Sequence, residues 1–380
     1  METAARPSAI GGFEDWPAYI REQPRFAAAT PGRQELADAL GVPGTSGTPR
    51  VTVEWEKTYD GVTTSQLSWQ LGFGPRTTGW LVRPAGEPSE LPGVLALHCH
   101  GGNKFGGADR LVELPDNHPS AAAARAGHYD GRALATETAR KGFAVLAHDT
   151  FAWGSRRFNL STPPWRTAAA LEAWRAQRRQ DGVVPSAADD YNAAAGFHEE
   201  TVAKTAGLLG TSLAGMVAHD DLAALDVLAD LPGVDPHRLG CLGFSGGGGR
   251  SLALAALSPR IKASVVTCMM TTFESLLPAY LDAHSWLLQT PGLWKLGDWP
   301  EITARSDASF LVQYALADEL FPEEGMREAH RILERLHAAG KGARTPYTGS
   351  FWPGGHVFTA PMQEEATDFL AANLALKTYA

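Results

Sequence analysis

Five short apolar runs recur along this chain and constrain its fold more than any other feature. They are GVLALHC (93–99), GFAVLAHD (142–149), RLGCLGF (238–244), IKASVVTCM (261–269) and ASFLVQYAL (308–316). A strand covered on one face alternates apolar and polar residues, whereas a strand covered on both reads as one apolar stretch. The five runs therefore predict a mainly parallel sheet with helices on both faces. Segments of helical period separate them. In 218–233, Leu222, Leu225, Val227 and Leu228 recur at helical spacing. In 323–340, Met326, Ala329, Ile332, Leu333 and Leu336 form one stripe that stops at Gly340. A third helix is expected over 131–142, closed by basic residues and Gly142. VTVEW (51–55) and SQLSWQL (65–71) alternate instead, and TGWLVRP (78–84) stops at Pro84. The expected class is α/β, a doubly wound sheet with antiparallel N-terminal strands and helical insertions.

The chain has 380 residues and is 44% hydrophobic, enough to bury a large core and too apolar for a disordered chain. Its net charge of −9 argues against a phosphate-backbone partner. Three cysteines, Cys99, Cys241 and Cys268, make neither a disulfide framework nor a zinc site. METAARPSAIGGFEDW lacks the pattern of a signal peptide, and no run is long enough to span a bilayer. The expectation is a cytoplasmic enzyme without nucleic-acid or membrane partners, with a homo-oligomer left open. Residues 1–50 read as an arm packed on the body through Phe13, Trp16, Tyr19, Ile20 and Phe26. Residues 51–380 read as the catalytic domain, with lid-like insertions at about 103–130 and 150–215.

The chemistry begins at Gly243-Phe244-Ser245-Gly246-Gly247-Gly248-Gly249, between an apolar strand and a helix expected near 248–258. This is G-x-S-x-G in a strand–turn–helix context. A serine on so sharp a turn needs small neighbours, because side chains at 243 or 247 would collide with the strand and the helix. The N–H of Gly246, at the helix N-terminus, then faces an anion forming at the serine. No G-K-[ST] follows, so a nucleotide loop is not supported.

A serine hydroxyl needs a base, and the base needs an orienting acid. Asp318 and Glu319 directly follow the strand at 308–316, and Asp318, first and shorter, is the favoured acid. His356 lies in the Gly-rich loop SFWPGGHVF (350–358), after a strand expected at 344–350, and is the favoured base. His330 and His337 fall on an amphipathic helix and read as surface residues. His284 could line a pocket.

LALHCHGGN (95–103) closes an earlier strand. Its backbone can offer the second oxyanion donor, Gly102 being favoured and Gly101 open, with His100 bracing the loop. The His98-x-His100 pair also opens a competing reading, a metal-dependent amidohydrolase barrel with both histidines as ligands. That barrel needs more strands than follow residue 98, and it leaves the serine motif without a role.

Together HCHGG (98–102), GFSGGGG (243–249), DELFP (318–322) and GGH (354–356) resemble the α/β-hydrolase superfamily. The resemblance is nearest to its dienelactone-hydrolase-like and acetyl-xylan-esterase-like bacterial branch. HDTFAWGSRRF (148–158) and VDPHRLGCLGFSGGG (234–248) resemble that branch as well. The resemblance implies Ser245 as nucleophile, Asp318 as acid and His356 as base. A dienelactone hydrolase has cysteine where this chain has Ser245, which turns the expectation toward ester hydrolysis.

The expected function is a serine hydrolase cleaving a small acyl or acetyl ester through an acyl-enzyme. Gly246 and Gly102 would hold the oxyanion, with no cofactor, no metal and a small-molecule ester as substrate. Acyl transfer, or C–C or C–O cleavage on the same fold, remains the alternative. His100, Asp149, Trp153 and Arg156 are the candidate substrate-binding residues, Arg156 because it follows the Asp149 loop on the expected active rim.

Overall fold

The computed structural model describes residues 6–22, 32–44, 47–86, 90–338 and 346–374. Phe26 and Gly340 lie outside the described residues. Among the described residues, nine strands form one open sheet in the order β1-β2-β3-β5-β4-β6-β7-β8-β9. They are β1 (Thr52–Tyr59), β2 (Val62–Trp69), β3 (Thr77–Pro84), β4 (Leu91–Leu97), β5 (Ala144–His148), β6 (Val234–Phe244), β7 (Ile261–Thr267), β8 (Ser309–Ala315) and β9 (Tyr347–Trp352). The first three pair antiparallel, as does β3 with β5, and all later pairs are parallel. The sheet does not close, so the amidohydrolase-barrel reading loses its frame.

The helices are α1 (Trp16–Arg21), α2 (Arg33–Leu40), α3 (Pro119–His128), α4 (Leu134–Arg140), α5 (Trp165–Gln180), α6 (Ala187–Leu208), α7 (Leu213–Asp230), α8 (Gly246–Leu257), α9 (Phe273–Leu276), α10 (Trp299–Ile302), α11 (Glu323–His337) and α12 (Ala360–Asn373). Alternate residues of each strand face opposite layers. Leu95 and Leu97 of β4 join a core with Leu225 and Leu228 of α7, Leu252 of α8 and Leu333 of α11. Val94 and Ala96 join the other core, with Leu134 of α4 and Met362 and Leu370 of α12. The continuous apolar runs thus supply two cores from one set of strands. None of the described helices is long and apolar enough to cross a membrane.

Element boundaries differ from the sequence reading where local caps intervene. β1 and β2 run on to a two-residue turn, with Tyr59 facing Val62. Asp60 and Gly61 both take positive φ there, 46° and 77°, as a tight hairpin requires. α7 starts at Leu213, five residues before the expected 218. Ser212 caps it, its hydroxyl accepting the Gly215 N–H at 2.9 Å. β9 runs from Tyr347 through Trp352, and residues 344 and 345 of the expected strand lie outside the described residues.

Candidate active site

β6 lies between β4 and β7 in the sheet, and its chain leaves the C-terminal edge at Ser245. The loops after β4, β8 and β9 leave from the same edge of the parallel strands, where ligands of such sheets bind. Ser245 has φ 57° and ψ −124°, a backbone conformation that a side chain disfavours. Its N–H donates to Thr267 O at 2.8 Å, which holds the turn onto β7. The glycines around it are obligatory on steric grounds. A Cβ on Gly243 would lie 2.0 Å from Gly247 O, and one on Gly247 would lie 2.1 Å from Leu97 O. Gly246 is the first residue of α8, so its N–H has no helical acceptor four residues back.

The loop after β9 brings His356 over the serine. His356 Nε2 lies 2.7 Å from Ser245 Oγ, and Nδ1 lies 2.6 Å from Asp318 Oδ2. The Asp318 carboxylate is fully buried, and its Oδ1 accepts the Leu320 N–H at 2.9 Å. A carboxylate only accepts, so Nδ1 carries the imidazole proton and Nε2 faces the serine hydroxyl as acceptor. Phe244 and Phe321 pack on the imidazole, with ring centroids 4.7 and 6.1 Å away. Glu319, the other acid considered, is exposed to solvent.

A cleft of about 400 Å³ opens over Ser245 and His356. His100, Gly101 and Gly102 form one side, and His284, Ser285, Leu287 and Leu288 another. His128, at the end of α3, reaches it from the first insertion. Burial holds the imidazoles of His128 and His284 below their ordinary pKa, and the nearby His356 pushes both the same way. His284 Nε2 donates to Leu320 O at 2.9 Å, bracing the turn that carries Asp318.

Of the four candidate substrate-binding residues, only His100 lines the cleft. Asp149 is buried behind it and accepts the N–H groups of Ala108 at 2.9 Å and Ser155 at 2.7 Å, joining the two insertions. Burial pushes its carboxyl up to about 6, with Asp109 adding to the shift. Arg156 is buried too. It pairs with Asp220 at 3.1 Å and donates to the carbonyls of Phe73 and Pro75. An arginine with those partners has no fork left for a substrate carboxylate. Trp153 is 1% exposed, its ring packed against His98 and His100 with the Lys104 ammonium 4.7 Å from its centroid.

His98 and His100 do not act as a pair. His98 Nδ1 donates to Cys99 O at 2.9 Å, while His100 Nε2 meets Glu199 at 3.1 Å. Among the described residues no three His, Cys, Asp or Glu side chains are grouped to hold a metal. Gly102 donates its N–H to His100 Nδ1 at 3.1 Å. His330 and His337 lie half-buried at the surface, with hydrogen bonds to Tyr347 and Thr303. α11 lies along β9 there, and both rings pack on that face.

Sequence reasoning missed Glu199 altogether. It lies on α6, lines the cleft and is almost fully buried. Its signal was a charged residue on an apolar stripe, because Ala195, Glu199, Val202 and Ala206 share the buried face of α6.

Comparison with known proteins bears on the fold. A family profile for acetyl xylan esterase (AXE1) matches residues 210–277, the stretch that carries β6, Ser245 and α8. YtaP of Bacillus subtilis (strain 168) is 27% identical over 306 residues, covering 80% of this chain and 86% of that one. A Bacteroides fragilis NCTC 9343 structure superposes with TM-score 0.65 at 15% identity, over 91% of this chain and 82% of its own. Acetyl xylan esterase 1 from Thermoanaerobacterium sp. JW/SL YS485 gives TM-score 0.53 at 18% identity, over 92% and 96%. A glucuronoyl esterase from Solibacter usitatus gives 0.59 at 14%, over 90% and 92%.

Proposed function

We propose that the chain is a serine carboxyl-ester hydrolase of the α/β-hydrolase superfamily, acting on small acyl esters such as acetyl esters. One observation carries the reading: His356 bridges Asp318 and Ser245 at 2.6 and 2.7 Å, with the serine on a strained turn. The similarity to acetyl xylan esterases supports the acetyl group, and a cleft of about 400 Å³ suits a small ester.

In this mechanism His356 Nε2 takes the Ser245 proton as Oγ attacks the ester carbonyl carbon. The carbonyl oxygen becomes an oxyanion held by the N–H groups of Gly246 and Gly102. In the resting site the Gly102 N–H rests on His100 Nδ1. A full negative charge is the stronger acceptor and draws that N–H to itself. The tetrahedral adduct collapses, the C–O bond to the alcohol breaks, and His356 returns its proton to the leaving oxygen. Water then attacks the acyl carbon with His356 again as base, the bond to Ser245 Oγ breaks, and His356 returns the proton to Oγ as the acid leaves. Asp318 keeps the proton on Nδ1 throughout.

The test is hydrolysis of p-nitrophenyl acetate combined with labelling by a fluorophosphonate. Ser245 should be the labelled residue, and Ser245→Ala should lose roughly 10⁴–10⁶ in kcat while remaining folded. Full turnover by that variant, or activity abolished by a chelator with Ser245 unlabelled, refutes the reading.

A further inference from the structure

Glu199 is a carboxylate on an otherwise apolar helix face, and a charge taken out of water must be compensated. Four donors do so. Ser285 Oγ at 2.6 Å and the Trp286 N–H at 2.8 Å donate to Oε1. His100 Nε2 at 3.1 Å and the Lys104 ammonium donate to Oε2. Burial alone would raise the Glu199 pKa, but His100 and Lys104 hold it well below the usual carboxylate range. Glu199 is therefore ionised and can only accept.

That sets the direction of the next bond. Nε2 of His100 must carry a proton, and burial keeps this imidazole below its ordinary pKa and hence neutral. Nδ1 is left with a lone pair, and it points at the Gly102 N–H, 3.1 Å away. Gly101 and Gly102 both have positive φ, 56° and 60°, so side-chain sterics do little to hold this turn. Asn103 N–H on His100 O at 3.2 Å and the Arg110 guanidinium, donating to Cys99 O at 3.5 Å and Asn103 O at 2.5 Å, anchor it as well. The chain of bonds from Glu199 through His100 to Gly102 runs in one sense only.

We propose that Glu199 is a positioning residue for the oxyanion site, acting through His100 to fix the Gly101–Gly102 turn, whose Gly102 N–H passes from His100 Nδ1 to the oxyanion as charge develops. The proposal rests on the serine-esterase reading above and gives the 150–215 insertion a part in transition-state stabilisation. Lys104 is the counter-charge that lets the carboxylate stay ionised beneath the cleft. Ser285 and Trp286 fix the other oxygen, so Glu199 also joins the oxyanion loop to the opposite cleft wall.

The test compares Glu199→Leu/Lys104→Met, which removes both buried charges together, with His100→Phe and with the triple variant. Complete loss of an oxyanion donor costs about 10²–10³ in kcat, so misorienting one should cost about 10- to 100-fold. KM should stay within about twofold, and affinity for a trifluoromethyl ketone, which forms the tetrahedral oxyanion, should fall by the same factor as kcat. The triple variant should be no worse than either parent, because one path is broken in both. Full kcat in the folded double variant, or losses that multiply in the triple, overturns the proposal. A readout independent of folding is the ¹⁵N spectrum of His100 in the wild-type protein. It must report the Nε2–H tautomer, and the Nδ1–H tautomer overturns the assignment. Fluorophosphonate labelling of Ser245 in the same preparations separates failure of this proposal from failure of the esterase reading.

Discussion

Two inactive variants, Ser245→Gly and Ser245→Ala, test whether the elbow stores strain. Both lose the hydroxyl and its contact with His356, so that loss cancels in their comparison. They differ in the Cβ and in unfolded-chain entropy. At an ordinary position glycine is less stable than alanine by roughly 0.5–1 kcal/mol. At φ 57° and ψ −124° the alanine keeps a disfavoured conformation, which costs of order 1–3 kcal/mol. Setting one against the other leaves Ser245→Gly more stable by about 0–2.5 kcal/mol. At about 2.1 cal/mol/K per residue, the unfolding entropy is roughly 0.8 kcal/mol/K for a chain of this length, so Ser245→Gly should melt higher by up to about 3 °C. Scanning calorimetry of the two proteins at one pH, with replicate precision of a few tenths of a degree, measures this. If Ser245→Ala melts higher, the turn is not strained at residue 245 and the argument for a pre-set nucleophile fails.

Gly247→Ala places a Cβ 2.1 Å from Leu97 O, a contact that must open by about 1 Å. Activity should fall about 100-fold or more from displacement of the serine, read as kcat with p-nitrophenyl acetate. Arg156→Met leaves Asp220 buried without its main partner and should cost about 3–5 kcal/mol of stability. Its kcat/KM should stay within about twofold, because Arg156 does not line the cleft; a raised KM at unchanged Tm would restore it as a substrate contact. Asp149 has a carboxyl raised from 3.8 to about 6, so the folded state holds this proton after the unfolded chain has released it. Stability from this group is fully present below about pH 4 and declines by about 3 kcal/mol as pH rises to 6. Unfolding scans from pH 4 to 8 should show that decline in the wild type and not in Asp149→Asn; parallel profiles would contradict it.

How far the molecule was legible depended on whether the signal was local. The five apolar runs became β4 to β8, four of them within about two residues and β6 starting four residues early at Val234, because covering both faces of a strand leaves few polar positions to blur the pattern. The β1–β2 hairpin has a local signal in Asp60-Gly61 that the sequence reading did not use; its alternating runs ended the first strand at 55 and began the second at 65. Ser245, Asp318 and His356 could be named from motif and order because each follows a strand whose direction the topology dictates. The arginine- and tryptophan-rich insertion misled for a physical reason. Arg156 and Trp153 resemble ligand-binding residues in composition, but Asp220, 64 residues away in the chain, and His98 and His100 take up their polar and aromatic faces.

Sequence alone determined the layer architecture, the sharp serine turn and the order of the three polar residues around it. These follow from periodicity and from glycines placed where a Cβ has no room. Tertiary structure decided what surrounds that serine. Glu199 meets His100 and Lys104 across 99 and 95 residues, and His128 and His284 arrive at the cleft from separate segments. No local pattern encodes such meetings, because they depend on which buried charge finds which partner once the layers have packed.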